Sequence, residues 1–399
     1  MFNDQAQRPL AQPKVHLPNP EHFLMWPPCL QSYGYRIVDQ LFATRTIERG
    51  KKIIDLPRAP EVEPNYEVDG QRYSVGDYMD RNNVVGLLVI KDGHVILERY
   101  GLGLAPGDRW STMSTVKSMT AMLVGAALQD GAVESLDDRV ADYIGMLEGS
   151  CYEHVTVRHL LTMSSGVEWV EVYPDPHSHV NHYSRSLANK VPGGVLQLMK
   201  GLRRAHAPGT VWNYNTGDTY LLGALVSAAT RQTLASYMSE KIWKPCGMEF
   251  DAFYTLESDE GQEIGGSRAG MTLRDIGRFA LFVMNDGIVG ERRILPHGWV
   301  DEAQRRAFEL PEEMHQGHNA LRVTGYGYSW WLTDDRSMIA MGHCGQRIYI
   351  NRAENLIVVN LAAHPEPQFA PPGDHNRDAD LRQLVEAYRG SLSTERYRN

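Results

Sequence analysis

Cysteine is scarce in this chain: the four among 399 residues, Cys29, Cys151, Cys246 and Cys344, stand far apart with no Cys-x-x-Cys. That spacing argues against a disulfide framework and against a thiolate zinc site, and reduced thiols in the cytoplasm are the expectation. Long apolar runs are also missing. The most apolar stretch, Met119 to Leu128, is far shorter than the roughly 20 residues a bilayer-spanning helix needs, so it reads as a buried helix. Residues 1–30 are rich in Pro, Gln and Asn and lack the basic start and apolar core of a secretory signal, so export is not expected. Concentrated basic charge is absent as well. The net charge is −9, and isolated pairs such as Arg203-Arg204 and Arg305-Arg306 form no stripe that could neutralise a phosphate backbone. Neither nucleic acid nor membrane is an expected partner. The one histidine cluster, His177, His179 and His182, has no cysteine or paired carboxylates beside it, and it reads as a solvated polar loop. No metal or cofactor is expected.

What is present is ordinary globular composition, with 42% hydrophobic and 22% charged residues, in a chain long enough to bury a large core. The Pro-rich opening, residues 1–65, reads as an extended arm lying over a body that spans 66–399. In Val84 to Tyr100, two apolar runs flank Asp92-Gly93, a strong hairpin signal. Ser114 to Asp130 has apolar residues at helical spacing and stops before Gly131. Residues 137–310 read as mainly helical, with helices at Thr156–Met163, Gly217–Thr230, Leu234–Trp243, Thr272–Asn285 and Pro296–Arg306. Strands return at Tyr326–Thr333, Ser337–Gly342, Arg347–Asn351 and Leu356–Ala362, ahead of a last helix over about Arg377–Tyr388. Strands at both ends with helices between imply one antiparallel sheet built from 66–136 and 311–399, flanked by helices and interrupted by a helical region over 137–310. The fold class expected is α+β.

Chemistry enters at Ser114-Thr115-Val116-Lys117, the chain's single Ser-x-x-Lys. A three-residue step on a helix brings the lysine to the face of the serine, whose hydroxyl is a weak nucleophile until a neighbouring base takes its proton. An unperturbed lysine titrates near pH ~10.4, so burial or nearby positive charge must lower its pKa before it can serve. Tyr214, just ahead of the helix at 217–230, is placed to relay a proton, and its phenol should ionise more easily beside a lysine ammonium. The backbone amides of Ser114 and of Gln346, which enters a strand, are candidate oxyanion donors. Gly345 would let a substrate approach the chain closely.

Several ordered motifs extend this picture. Trp110-Ser111-Thr112-Met113-Ser114-Thr115-Val116-Lys117, Gly131 with Asp137-Asp138, and Thr156-Val157-Arg158-His159-Leu160-Leu161-Thr162-Met163-Ser164-Ser165-Gly166 together resemble the serine β-lactamase and penicillin-binding-protein superfamily, in its class C-like esterase and amidase branch. Gly265-Gly266-Ser267-Arg268, Thr272-Leu273-Arg274-Asp275, Trp330-Trp331 and Gly345-Gln346 are most similar to aminohexanoate-dimer hydrolases, which cleave nylon oligomers. The resemblance implies a β-lactamase/transpeptidase-like fold. It also implies an acylated Ser114, Lys117 as its activating partner, Tyr214 as general acid/base, and an oxyanion hole from the amides of Ser114 and Gln346. Tyr173 would hold the substrate amide, and Trp331, His343 and Gly345 would line the substrate site.

Two departures separate the chain from antibiotic hydrolysis. Tyr214 is followed by Asn215 and Thr216 rather than by Tyr-x-Asn, and His343-Cys344-Gly345 stands where Lys-Thr-Gly is usual. The function expected is therefore a cytoplasmic serine hydrolase of a small linear amide or ester, with an aminohexanoate-dimer-like amide as the sharpest substrate. A promiscuous short-chain carboxylesterase and a non-catalytic binding module of the same fold are the competing readings. A homodimer is the one macromolecular partnership left open.

Overall fold

The computed structural model describes residues 17–311, 320–365 and 374–395. Its centre is an eight-stranded antiparallel sheet. The strands are β1 (Val84–Lys91), β2 (His94–Tyr100), β3 (Phe308–Glu309), β4 (Val323–Tyr326), β5 (Trp331–Thr333), β6 (Met338–Gly342), β7 (Gln346–Asn351) and β8 (Leu356–Ala362). Their spatial order, β3-β4-β5-β6-β7-β8-β1-β2, lays the N-terminal hairpin against the last strand, Leu356 opposite Lys91 and Asn360 opposite Leu87. Asp92 and Gly93 both adopt positive φ, as the tight turn joining β1 and β2 requires.

Five helices matter most here: α1 (Val116–Gln129), α2 (His179–Ala188), α3 (Thr216–Thr230), α4 (Leu273–Met284) and α5 (Arg377–Glu395). The period of two in the strands divides the interior into two layers. Ile348, Ile350, Ile357 and Val359 enter the core shared with α1, α3 and α4, whereas Tyr349 and Val358 face the core under α5. α1 lies deep in the first layer with every residue from Val116 to Ala127 buried, which explains its apolar sequence. Its few hydroxyls find carbonyl partners: Ser118 Oγ donates to Ser329 O at 2.6 Å and Thr120 Oγ1 to Gly265 O at 2.7 Å. Among the described residues no helix is long and apolar enough to cross a membrane. The α+β architecture with a helical insertion is the one expected.

Several local expectations differ from what the structure holds. The part of the expected arm that is described, residues 17–65, is folded into the body. Its strand Thr44–Ile47 pairs with Ala252–Thr255 in a second, four-stranded sheet. Phe23 packs on Trp26, Tyr35 and Phe42 with ring centroids 4.8, 5.2 and 5.3 Å apart. Burial of these aromatics is what draws the segment in, and its proline content obscured that signal. The run Tyr326–Thr333 is two strands, β4 and β5, because the chain reverses at Gly327–Trp330 with Ser329 at φ 57°. The helix expected at Pro296–Arg306 is reduced to Trp299–Ala303. The polar loop expected around His177, His179 and His182 runs into α2, whose first residue is His179.

Candidate active site

Ser114 sits in a 3-10 turn, Met113–Thr115, that leads directly into α1. The short strand Trp110–Ser111 delivers the chain to this turn by pairing with Gly270–Met271. Met113, immediately before the serine, has φ 48°, a left-handed conformation that costs a non-glycine residue energy and is held only by its surroundings. The turn is pressed against β6: a Cβ on Gly342 would lie 2.8 Å from Thr112 O and 3.1 Å from Met113 Cβ. The serine is thus presented at an elbow beside the two central strands.

Lys117 is the next turn's residue on that face, and it is 2 % exposed. Its Nζ lies 2.9 Å from Ser114 Oγ, 3.0 Å from Thr216 Oγ1 and 2.6 Å from Gly266 O. Burial lowers its pKa to about 8, with Arg268 pushing the same way and Glu171 opposing them. Desolvation wins because it penalises the ammonium directly, and among the described residues no carboxylate contacts the amine.

Tyr214 precedes α3, with its ring centroid 5.1 Å from Lys117 Nζ, and its hydroxyl interacts with Ser114. The expected easing of its ionisation is not found. Burial, reinforced by the charge of Glu171, pushes the phenol well above its ordinary value, so it carries its proton throughout the physiological range. Helix α3 itself starts on Asn215, whose side chain accepts from Asp218 N at 3.1 Å. Asp218 Oδ1 accepts in turn from Asn215 Nδ2 at 3.0 Å and from Tyr152 OH at 2.7 Å.

The turn His343–Gly345 ends β6 and opens onto Gln346, the first residue of β7. The side chain of Gln346 is wholly occupied inside the protein. Its Nε2 donates to His343 O, Cys344 O and Ala362 O, and its Oε1 accepts from Trp110 Nε1 at 2.9 Å. This amide braces the turn to the strand that delivers Ser114. Gly345 has φ 94°, and the His364 ring lies 2.6 Å from where its Cβ would be. Glycine is needed there for the turn and for His364, and Gly345 is not among the residues that line the cleft at Ser114.

This narrow cleft, with about 20 Å³ of free space, is lined by Ser114 and walled by Leu24, Met113, Glu171, Tyr173, Val180, Tyr183, Thr216, Ser267, Arg268 and His343. Tyr173 and His343 therefore face the cleft, their rings 4.4 Å apart. His343 Nε2 is 2.7 Å from Leu24 O, and burial holds the ring neutral with a pKa of about 4. Trp331 is not among the cleft residues. It packs behind Tyr214 at 5.4 Å, because alternation along β5 turns it toward the α5 side while Trp330 enters the opposite core.

Three contributors were missed in the sequence. Leu24 reaches the cleft from the N-terminal segment, where nothing local marks it. Thr216 and Glu171 complete the lysine's surroundings. Glu171 Oε1 accepts from Thr216 Oγ1 at 2.8 Å and Tyr173 OH at 2.9 Å, and Oε2 accepts from Trp169 Nε1 at 2.7 Å and Thr216 N at 3.1 Å. The only available signal for Glu171 was its position two residues before Tyr173. A carboxylate in a loop is ordinarily solvated, so that signal is weak.

A family model for Beta-lactamase matches residues 74–383. The chain belongs to the beta-lactamase family. It is 25% identical over 287 residues to the 6-aminohexanoate-dimer hydrolase of Paenarthrobacter ureafaciens, covering 70% of this chain and 72% of that relative. A Bacillus anthracis structure provisionally named a 6-aminohexanoate-dimer hydrolase superimposes with a TM-score of 0.76 at 18% identity, over 92% of this chain and 95% of that one. A family VIII carboxylesterase gives a TM-score of 0.56 at 18% identity, over 79% and 94%. Membership supports the serine-hydrolase class expected from the motifs. The family match begins at residue 74, so Leu24 and the wall it forms lie outside it.

Proposed function

We propose that this beta-lactamase-family hydrolase cleaves a small linear amide or ester in two steps through an acyl-enzyme on Ser114. The observation that carries the reading is the buried Lys117 amine 2.9 Å from Ser114 Oγ, with a pKa lowered to about 8. In the first step the neutral amine takes the hydroxyl proton as Oγ bonds to the substrate carbonyl carbon. The oxyanion is held by the amides of Ser114 and Gln346. Tyr214, a protonated phenol interacting with Ser114, passes a proton to the departing amine or alcohol as its bond to carbon breaks. Water then attacks the acyl carbon by the same relay in reverse and frees Ser114.

A linear amide of the aminohexanoate-dimer kind is the substrate proposed, supported by the similarity to the Paenarthrobacter enzyme. β-Lactams are poor candidates. The neutral His343, tied to Leu24 O, offers no cation where Lys-Thr-Gly would supply one for the β-lactam carboxylate. The cytoplasm is the proposed location, on the wide spacing of the four cysteines, which suits reduced thiols.

The test is hydrolysis of a p-nitrophenyl ester by wild type and Ser114→Ala, with intact-mass spectrometry for the adduct and a linear amide dimer as second substrate. Turnover and an acyl adduct confined to wild type are expected, and amide turnover selects amidase over esterase. Folded wild type with neither activity nor adduct would favour the binding-module reading.

A further inference from the structure

The hydrogen bonds around Lys117 have a direction that their distances alone do not express. A neutral amine carries two N–H bonds and one lone pair, and only the lone pair can take the serine proton. Gly266 O, 2.6 Å from Nζ, is a carbonyl and can only accept, so it takes one N–H. Thr216 Oγ1, 3.0 Å from Nζ, can donate or accept. Its own proton is claimed by Glu171 Oε1 at 2.8 Å, because a carboxylate surrounded by four donors has nothing but acceptor sites to offer. Thr216 must then accept the second N–H of the lysine. The remaining lone pair faces Ser114 Oγ.

We propose that Glu171 is a positioning residue that sets the polarity of the chain Glu171–Thr216–Lys117–Ser114 and so aims the lysine lone pair at the serine hydroxyl. This rests on Ser114 being the nucleophile and Lys117 its base. Glu171 also receives Tyr173 OH, so one carboxylate ties a cleft-lining tyrosine to the orientation of the base.

The two carboxylate oxygens are not equivalent, which makes an isosteric change informative. Oε2 faces two fixed N–H donors, Trp169 Nε1 and Thr216 N, neither of which can turn round. Oε1 faces two hydroxyls, which can. In Glu171→Gln the amide oxygen is forced toward the N–H pair and the NH₂ toward the hydroxyls. Thr216 Oγ1 then accepts from the glutamine, its own proton turns to Lys117, and the lone pair is withdrawn from Ser114. The polarity of the chain is reversed with hardly any change of shape.

The experiment compares wild type, Glu171→Gln, Thr216→Ser and Thr216→Val by steady-state hydrolysis of a p-nitrophenyl ester across pH, with folding checked by circular dichroism. Glu171→Gln and Thr216→Val are expected to lose kcat about 10²-fold or more, the lower range of a lost general base, with KM changed less than about threefold. Thr216→Ser keeps the hydroxyl and is expected to stay within about tenfold of wild type. The acid limb of the rate profile should also move to lower pH in Glu171→Gln. Besides Glu171, the charged or titratable groups facing the amine are Arg268 from the loop after Gly266 and Tyr214 ahead of α3, and neither is altered by the substitution. That shift reports the lost charge of Glu171 on Lys117, whereas the loss of kcat with KM little changed is what a merely structural glutamate would not produce.

Glu171→Gln with kcat within threefold of wild type, or Thr216→Ser as damaged as Thr216→Val, would overturn the proposal. Should Glu171→Gln fail to fold, the two Thr216 variants carry the decision. Wild type that forms no acyl-enzyme would instead remove the reading of Ser114, a result separable from failure of the variants alone.

Discussion

The two helices that meet at the candidate site enter it in opposite ways. Helix α1 begins without a side-chain cap, through a 3-10 turn whose first residue, Met113, is held at φ 48°. Helix α3 begins on a capping Asn215, itself bonded to a buried Asp218 that Tyr152 also holds. An uncapped helix start leaves backbone N–H groups without intrahelical partners, and at Ser114 those are the groups an oxyanion needs. A capped start fixes the side chains on either side of it, here Tyr214 and Thr216. On the proposed mechanism, one entry is left open for the substrate and the other is closed to hold Tyr214 and Thr216.

That contrast can be broken from either end. The largest effect is expected at the open entry. Lys117→Ala should lower turnover about 10⁴-fold or more and abolish the acyl adduct, with the cooperative unfolding transition retained. In wild type the sign of the pH dependence follows from the same residue. The protonated amine cannot act as base, so the acylation rate should rise with pH to a plateau above about 8, the lowered value for Lys117. A pH-independent rate between 6 and 9 would exclude that role.

Next in size is Tyr214→Phe, which keeps the ring against Trp331 and removes the proton relay. Turnover should fall about 10²- to 10⁴-fold in kcat, with thermal stability close to wild type. The smallest expected effect sharpens the comparison. Asn215→Ala removes the cap of α3 and should cost stability on the order of 1 kcal/mol, read as a lower denaturation midpoint. Because the cap positions Tyr214 and Thr216, the same change should also lower kcat more than it raises KM. An Asn215→Ala enzyme less stable but fully active would show that the cap serves the helix alone.

The residues that announced themselves in the sequence share one property: local pattern suffices to find them. Ser114 and Lys117 lie one helical turn apart, the hairpin of β1 and β2 carries its own Asp-Gly turn, and Tyr214 stands just ahead of a helical run. Residues 17–65 show the opposite case. Gln31 donates to Trp26 O at 2.6 Å and to His364 O at 3.0 Å, beneath the turn that precedes Gln346, and Leu24 walls the cleft. No periodicity near Leu24 or Gln31 signals either role. Trp331 was read as a cleft residue because strand alternation gives two faces but does not say which faces the substrate. Glu171 escaped notice because two of its four donors come from Thr216, 45 residues further along the chain.

The sequence by itself determined the α+β class, the main hairpin, the helix that follows Ser114 and the pairing of Ser114 with Lys117. Each rests on interactions within a few residues, where hydrophobic period and turn chemistry act directly. Tertiary structure alone decided the ionisation of Lys117, the protonated state of Tyr214, the direction of the hydrogen bonds through Thr216 and the composition of the cleft wall. Those depend on burial and on groups that converge from distant parts of the chain. Desolvation and the aim of a proton exist only once the chain has folded around them.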